Sequence, residues 1–228
     1  MHCLIPEPVR GRGRNYLTCT VLVRMTYSET YLAEVAEIAA GIPPERLEAM
    51  AEGIAAVRER GGRLFILGVG GGAGHASHAV NDFRKICHLE SYTPTDNVSE
   101  LTARTNDEGW ETSFEAWLRT SRLGERDGLL VFSVGGGSRE HSISMNLVHA
   151  VELAKEVGAS VFGIVGKPDG ATAQHADICI VVKSPPERVT PHVESFQAVL
   201  WHALVSHPAL EAQPGKWEAV QQEQVGAG

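Results

Sequence analysis

The 228-residue chain is 43% hydrophobic and 21% charged, with a formal net charge of −8. That surplus of acid argues against a general surface for nucleic acid or anionic membrane, and no uninterrupted apolar run approaches the ~20 residues of a membrane-spanning helix. Cys3, Cys19, Cys87 and Cys179 are scattered without a CxxC pair, which argues against a zinc ribbon and fits reduced thiols in a cytoplasmic protein.

Residues 1–26 read as an extension of the folded unit, or as a start placed too early, with Met25 the working start. The stretch PEPVRGRGRNYLTCTVLVRM carries arginines and a short apolar part, but no small-residue cleavage site follows it. From Tyr27 to about Glu59 the apolar spacing is helical: Tyr31, Val35 and Ile38, then Leu47, Met50, Ile54 and Val57. GIPPER (41–46) divides this into two helices, its proline suited to a first helical turn.

The rhythm then changes. Short apolar runs at 63–69, 128–134, 160–166 and 178–183 predict strands, with a weaker one at 91–95. Helices are predicted near 75–87, 109–121, 139–157 and 172–176, and an amphipathic one over 189–208. Continuous Val/Ile/Leu runs predict strands buried on both faces. Their alternation with helices predicts a doubly wound α/β fold, a parallel sheet flanked by helices in three layers, over 27–208. Residues 209–228 read as a polar tail, mobile at its end.

Two glycine loops follow predicted strands and open predicted helices: GVGGGAG (68–74) and SVGGGSREHS (133–142). Ligands of such sheets sit beyond the carboxyl ends of the strands. Glycine lets the backbone approach a ligand, and N–H groups at a helix start attract anions. Gly70, Gly71 and Gly72, with Ser133, Gly135 and Ser138, are therefore candidates to hold a phosphate. The first loop also resembles a dinucleotide GxGxxG string, but Glu90, the acid at the required distance, is not on a strong strand, and the second loop has no place in that reading.

The helix after the first loop carries His78 and Asp82 four residues apart, on one face. The last helix carries Glu194 and His202 eight apart, which puts them about 80° apart around the helix axis. Two imidazoles and two carboxylates reaching one object between helices form a ligand set for zinc or a similar divalent metal.

In order along the chain, GVGGGAGHASHAVNDF, ARTNDEGW, SVGGGS, GIVGKPDG, ADICIVV and ESFQAVLWH resemble the sugar isomerase (SIS) domain, and within it the phosphoheptose isomerases, over about 27–207. The resemblance implies a flavodoxin-like fold with N-terminal helices. It implies conversion of sedoheptulose 7-phosphate to a heptose 7-phosphate through an enediol. It also implies a homotetramer with sites where subunits meet, and a zinc ion held at His78, Asp82, Glu194 and His202. Asp82 falls where the family has a glutamate base, His202 where it has the acid, and Glu194 where it has a glutamine. Glu194 is the alternative base if Asp82 is too short to reach. Asn106 and Asp107 match a central Asn-Asp that helps hold the sugar, and Ser133 to Ser138 match its second phosphate loop. Gly72 and Gly135 stand where that pattern has serines, so His75 or Arg139 becomes a candidate replacement donor. The changes also leave open a different phosphorylated sugar, or a non-catalytic sugar-phosphate-binding role.

Overall fold

A computed structural model describes residues 25–226; of the extension expected at 1–26, residues 1–24 lie outside the described residues. The chain opens with two helices, α1 (Tyr27–Gly41) and α2 (Pro44–Glu59). Thr26 starts α1 through a capping box: its hydroxyl accepts the Glu29 N–H, and the Glu29 carboxylate accepts the Thr26 N–H at 2.7 Å. Pro44 occupies the first turn of α2, where a missing N–H leaves no bond unmade.

Five parallel strands follow: β1 (Leu64–Gly68), β2 (Ser91–Tyr92), β3 (Gly128–Ser133), β4 (Ser160–Val165) and β5 (Ile178–Val181). They lie in the order β2-β1-β3-β4-β5. Between them run α3 (Gly71–Lys85), α4 (Val98–Asp107), α5 (Ser113–Thr120), α6 (Met145–Glu156) and α7 (Ala171–His175); α8 (Val189–Val205) and α9 (Lys216–Gly226) complete the chain.

The strand runs are continuous in apolar residues because each face of the sheet is covered. Leu64, Ile66, Leu130, Phe132, Phe162 and Ile164 pack with α2, α3 and α8 side chains such as Met50, Phe83, Phe196 and Trp201. The alternate residues Phe65, Leu67, Leu129, Val131 and Val161 pack with Phe114 and Leu118 of α5 and Leu147 and Val151 of α6. Period-two alternation thus feeds two cores from one strand. Buried Asp127 locks the amino end of the sheet, accepting from Arg63 N (2.9 Å) and Gly124 N (3.0 Å) and pairing with the Arg63 guanidinium at 2.8 Å.

The structure shows the expected three-layer parallel α/β fold. It departs from the sequence reading at four places. The weak strand at 91–95 is two residues long. Helix α4 was not foreseen; none of its side chains is buried, so it has no apolar stripe to read. The helix expected from 139 begins at Met145 instead. Ser138 and Ile143 exchange backbone hydrogen bonds at 2.8 and 2.9 Å, closing a small loop, and Ser142 and Ser144 take left-handed conformations with φ of 50° and 49°. Finally, the polar tail forms the helix α9.

Candidate active site

The strand order reverses direction between β1 and β3: the chain leaves β1 for β2 on one side and returns to β3 on the other. Such a switch point opens a crevice at the carboxyl ends of the two strands. The two glycine loops flank that position, one after β1 and one after β3.

The first loop is itself the opening turn of α3. Gly70 caps the helix with φ of 59°, a conformation costly for other residues. A β-carbon on Gly72 would lie 2.7 Å from the Phe132 carbonyl oxygen, so glycine here allows α3 to meet the end of β3. On Gly71 it would fall 2.6–2.7 Å from the carboxylate atoms of Glu194. The Glu194 carboxylate therefore rests against the first turn of α3, where helix N–H groups favour negative charge. A phosphate at this turn would meet that negative charge. His75 lies half-buried beside Glu194; burial holds its imidazole below the ordinary range, against the pull of the Glu194 charge.

In the second loop, Gly136 and Gly137 take φ of 75° and 81°. The Ser133 hydroxyl accepts the Gly136 N–H at 3.0 Å, and the Ser138 hydroxyl accepts the His141 N–H at 3.3 Å. Each serine proton is thereby left to donate elsewhere. A β-carbon on Gly135, or on Gly70 of the first loop, would meet nothing within 4 Å, so both loops face open space. Arg139 is turned away to Glu152 of α6, at 2.6 and 2.8 Å. Unlike the first loop, this one does not run directly into a helix: residues 139–144 intervene before α6.

Helices α3 and α8 bring His78, Asp82 and His202 together, with ligand atoms all within 4.8 Å of one another. Glu194 stands outside that trio, on the glycine loop. Asp82 is 9% exposed and its Oδ1 accepts from the Asn81 amide at 2.7 Å, while Oδ2 lies 3.7 Å from His78 Nε2. His202 Nδ1 is 2.7 Å from the Ala198 carbonyl. Donation by Nδ1–H fixes the tautomer and leaves Nε2 with a lone pair facing outward. Two imidazole nitrogens and a carboxylate at this spacing suit a divalent metal with positions left for water or substrate, so the donor set fits the metal expected from the sequence. Both imidazoles are exposed, and the trio opens on the surface.

Asn106 and Asp107 lie exposed at the end of α4, the Asn106 amide donating to Asp107 at 2.7 Å. The described contacts do not join them to the trio. Two neighbours of the trio went unnoticed in the sequence. Asn81 orients the Asp82 carboxylate, and Trp201 packs against both imidazoles. Their only sequence signal is adjacency to a candidate residue.

No protein-family model matches the chain. It is 33% identical over 205 residues to the lincomycin biosynthesis protein LmbN of Streptomyces lincolnensis, spanning 82% of this chain and 73% of that protein. It is 32% identical over 189 residues to the phosphoheptose isomerase of Chlorobium phaeobacteroides, spanning 78% of each. The fold superposes on the phosphoheptose isomerase of Neisseria gonorrhoeae with a TM-score of 0.67 and 25% identity, covering 77% of this chain and 93% of that one. Among the described residues no helix is long and apolar enough to cross a membrane.

Proposed function

We propose that this chain, which belongs to the phosphoheptose isomerase-like family of sugar isomerase (SIS) domains and is a phosphosugar isomerase, converts sedoheptulose 7-phosphate to D-glycero-D-manno-heptose 7-phosphate through an enediol. The observation that carries this reading is the convergence of Asp82, His78 and His202 on one helix pair, beside a switch point flanked by two glycine loops.

Asp82 takes the carbon-bound proton; Asn81 and its burial between helices hold the carboxylate in place. Glu194 is the alternative base. His202 has one free nitrogen, Nε2, since Nδ1 is committed to Ala198; that atom moves a proton at the substrate oxygens when it is not ligating a metal. A divalent metal, zinc in the first instance, would be held by His78, Asp82 and His202, with Glu194 joining if it leaves Gly71; bound there it supplies Lewis-acid stabilisation of the developing oxyanion. The phosphate sits on the second loop, where the hydroxyl protons of Ser133 and Ser138 are available, with the Gly70–Gly72 turn beside it once Glu194 yields. Seven residues of helix separate Gly71 from His78, about 10 Å along the axis. A sugar chain of several carbons can bridge that distance. Asn106 and Asp107 are assigned to the sugar hydroxyls of a neighbouring subunit's site. The working form is a cytoplasmic homotetramer with sites at subunit interfaces, a reading supported by the surface opening of the trio and by exposed Tyr27 and Leu32 on α1.

The test is sedoheptulose 7-phosphate incubated with the protein, metal-free and then with zinc, and followed by NMR. Zinc-dependent appearance of the aldose phosphate supports the proposal; folded protein giving no conversion under either condition overturns it. A second reading, a different phosphorylated ketose, is favoured by Gly72 and Gly135 standing where the resemblance has serines. A panel of ketose phosphates of different length separates the two.

A further inference from the structure

We propose that Trp201 is a positioning residue that holds the imidazoles of His78 and His202 in register for a shared ligand; this rests on reading those histidines as the reacting end of the site. Three rings meet here. The indole is wholly buried, stacks on His202 with centroids 3.4 Å apart and planes at 29°, and receives the His78 ring at 4.7 Å and 64°. The two imidazoles then meet edge to face, with centroids 5.5 Å apart and planes at 87°.

The restraint matters most for His78. His202 has a second anchor at the Ala198 carbonyl. The other close partner of His78 is Asp82, at 3.7 Å, which is too long for a hydrogen bond, and the side chain is 57% exposed. A free imidazole would have to give up its rotamer freedom on binding, whereas one already packed against a buried indole has done so.

The indole is also a poor choice for the core alone. Trp201 Nε1 finds no protein partner, nor do Nε2 and Oε1 of Gln197, one turn earlier and equally buried. Burying an unpaired N–H is unfavourable, and an aliphatic or phenyl side chain would avoid it. A local rule broken in the core beside a cluster of chemically active side chains is where a functional constraint is expected.

The test compares Trp201→Met, which fills the space without a ring, with Trp201→Phe, which keeps one. Zinc affinity is read by calorimetry, and the metal-free histidine arrangement by the NOE between the His78 and His202 ring protons. The Met variant is expected to unfold cooperatively, bind zinc about tenfold more weakly or worse, lose the NOE, and show lower kcat with KM nearly unchanged. The Phe variant should recover most of both readouts. A Met variant that binds zinc as tightly as wild type and keeps the NOE overturns the proposal. So does loss of cooperative unfolding in both variants, which would assign Trp201 to the core alone. If wild-type protein neither binds zinc nor turns over sugar phosphate, the proposed function fails, while the NOE comparison still decides the role of Trp201.

Discussion

At the scale of single residues, the site separates chemistry from grip, and substitutions should separate them too. His202 is exposed and touches the fold mainly through one backbone carbonyl and one ring. His202→Ala should lower kcat by about 10²–10⁴-fold, the range of a lost general acid, while calorimetry shows the affinity for sedoheptulose 7-phosphate largely intact. Loss of both would make His202 a structural residue. Glu194 makes the opposite prediction. Its carboxylate lies against the first turn of α3, where its charge repels an incoming phosphate. Glu194→Gln should therefore tighten sugar-phosphate binding severalfold, in line with a helix-terminus charge effect of about 0.3–1 kcal/mol. An unchanged dissociation constant would place the phosphate on the second loop alone. The trio was legible in the sequence because helical spacing is arithmetic. Where Glu194 rests was not, because the rotamer of a flexible carboxylate depends on the glycine of another helix. Trp201 was missed for a related reason: a tryptophan in an amphipathic helix reads as core, and nothing in its spacing reveals two histidines against its ring.

At the scale of elements, the reading succeeded wherever burial is two-sided and failed wherever it is absent. Strands β1, β3 and β4 are buried along nearly their whole length, so continuous apolar runs gave them away. Helix α4 instead rests on Asn97, which caps it by accepting from Glu100 N, and on Arg104 paired with Glu100 and Glu108 one turn to either side. That ladder of i,i+4 charges was present in the sequence, but exposed pairs add only a few tenths of a kcal/mol each, and without an apolar face they were not counted. The start of α6 was misplaced because the pairing of Ser138 with Ile143 is a matter of backbone geometry, not composition. A sharper element-level prediction concerns Asp127, which ties Arg63 and Gly124 together ahead of β1 and β3. Asp127→Ala leaves the Arg63 and Gly124 N–H groups without their acceptor and the guanidinium with only the Ser121 and Arg122 carbonyls. It should cost about 3 kcal/mol of stability, measured as a lower urea midpoint with an unchanged slope.

At the scale of the molecule, α1 is fastened to α8 by a compact charge cluster. Glu34 pairs with the Arg188 guanidinium and lies 2.8 Å from Nε2 of the wholly buried His192, whose ring stacks on Tyr31 at 4.5 Å. The hydrogen bond from Arg188, and then that from His192, pulls the Glu34 carboxyl from its usual 4.5 down to about 2. A depressed carboxyl stabilises the fold above its unfolded value, and that contribution is lost as pH falls from about 4.5 through about 2. Urea midpoints should therefore drop across this window in wild type, and less steeply in Glu34→Gln; parallel curves would sink the assignment. Because the trio opens at the surface, the tetramer proposal predicts that specific activity falls on dilution in step with dissociation seen by light scattering, while a constant specific activity through dissociation would exclude a shared site. The parallel α/β core was readable in advance because a parallel sheet needs little beyond alternation, whereas the exposed α4 and the C-terminal α9 were not. One consequence of that architecture concerns how such a protein can change over generations. All five strands end on the same rim, and the 139–143 excursion there is closed by its own Ser138–Ile143 bridge without entering either core. Substitutions in that excursion can accumulate with little loss of foldability, so lineages sharing this scaffold are free to diverge in what they recognise long before they diverge in shape.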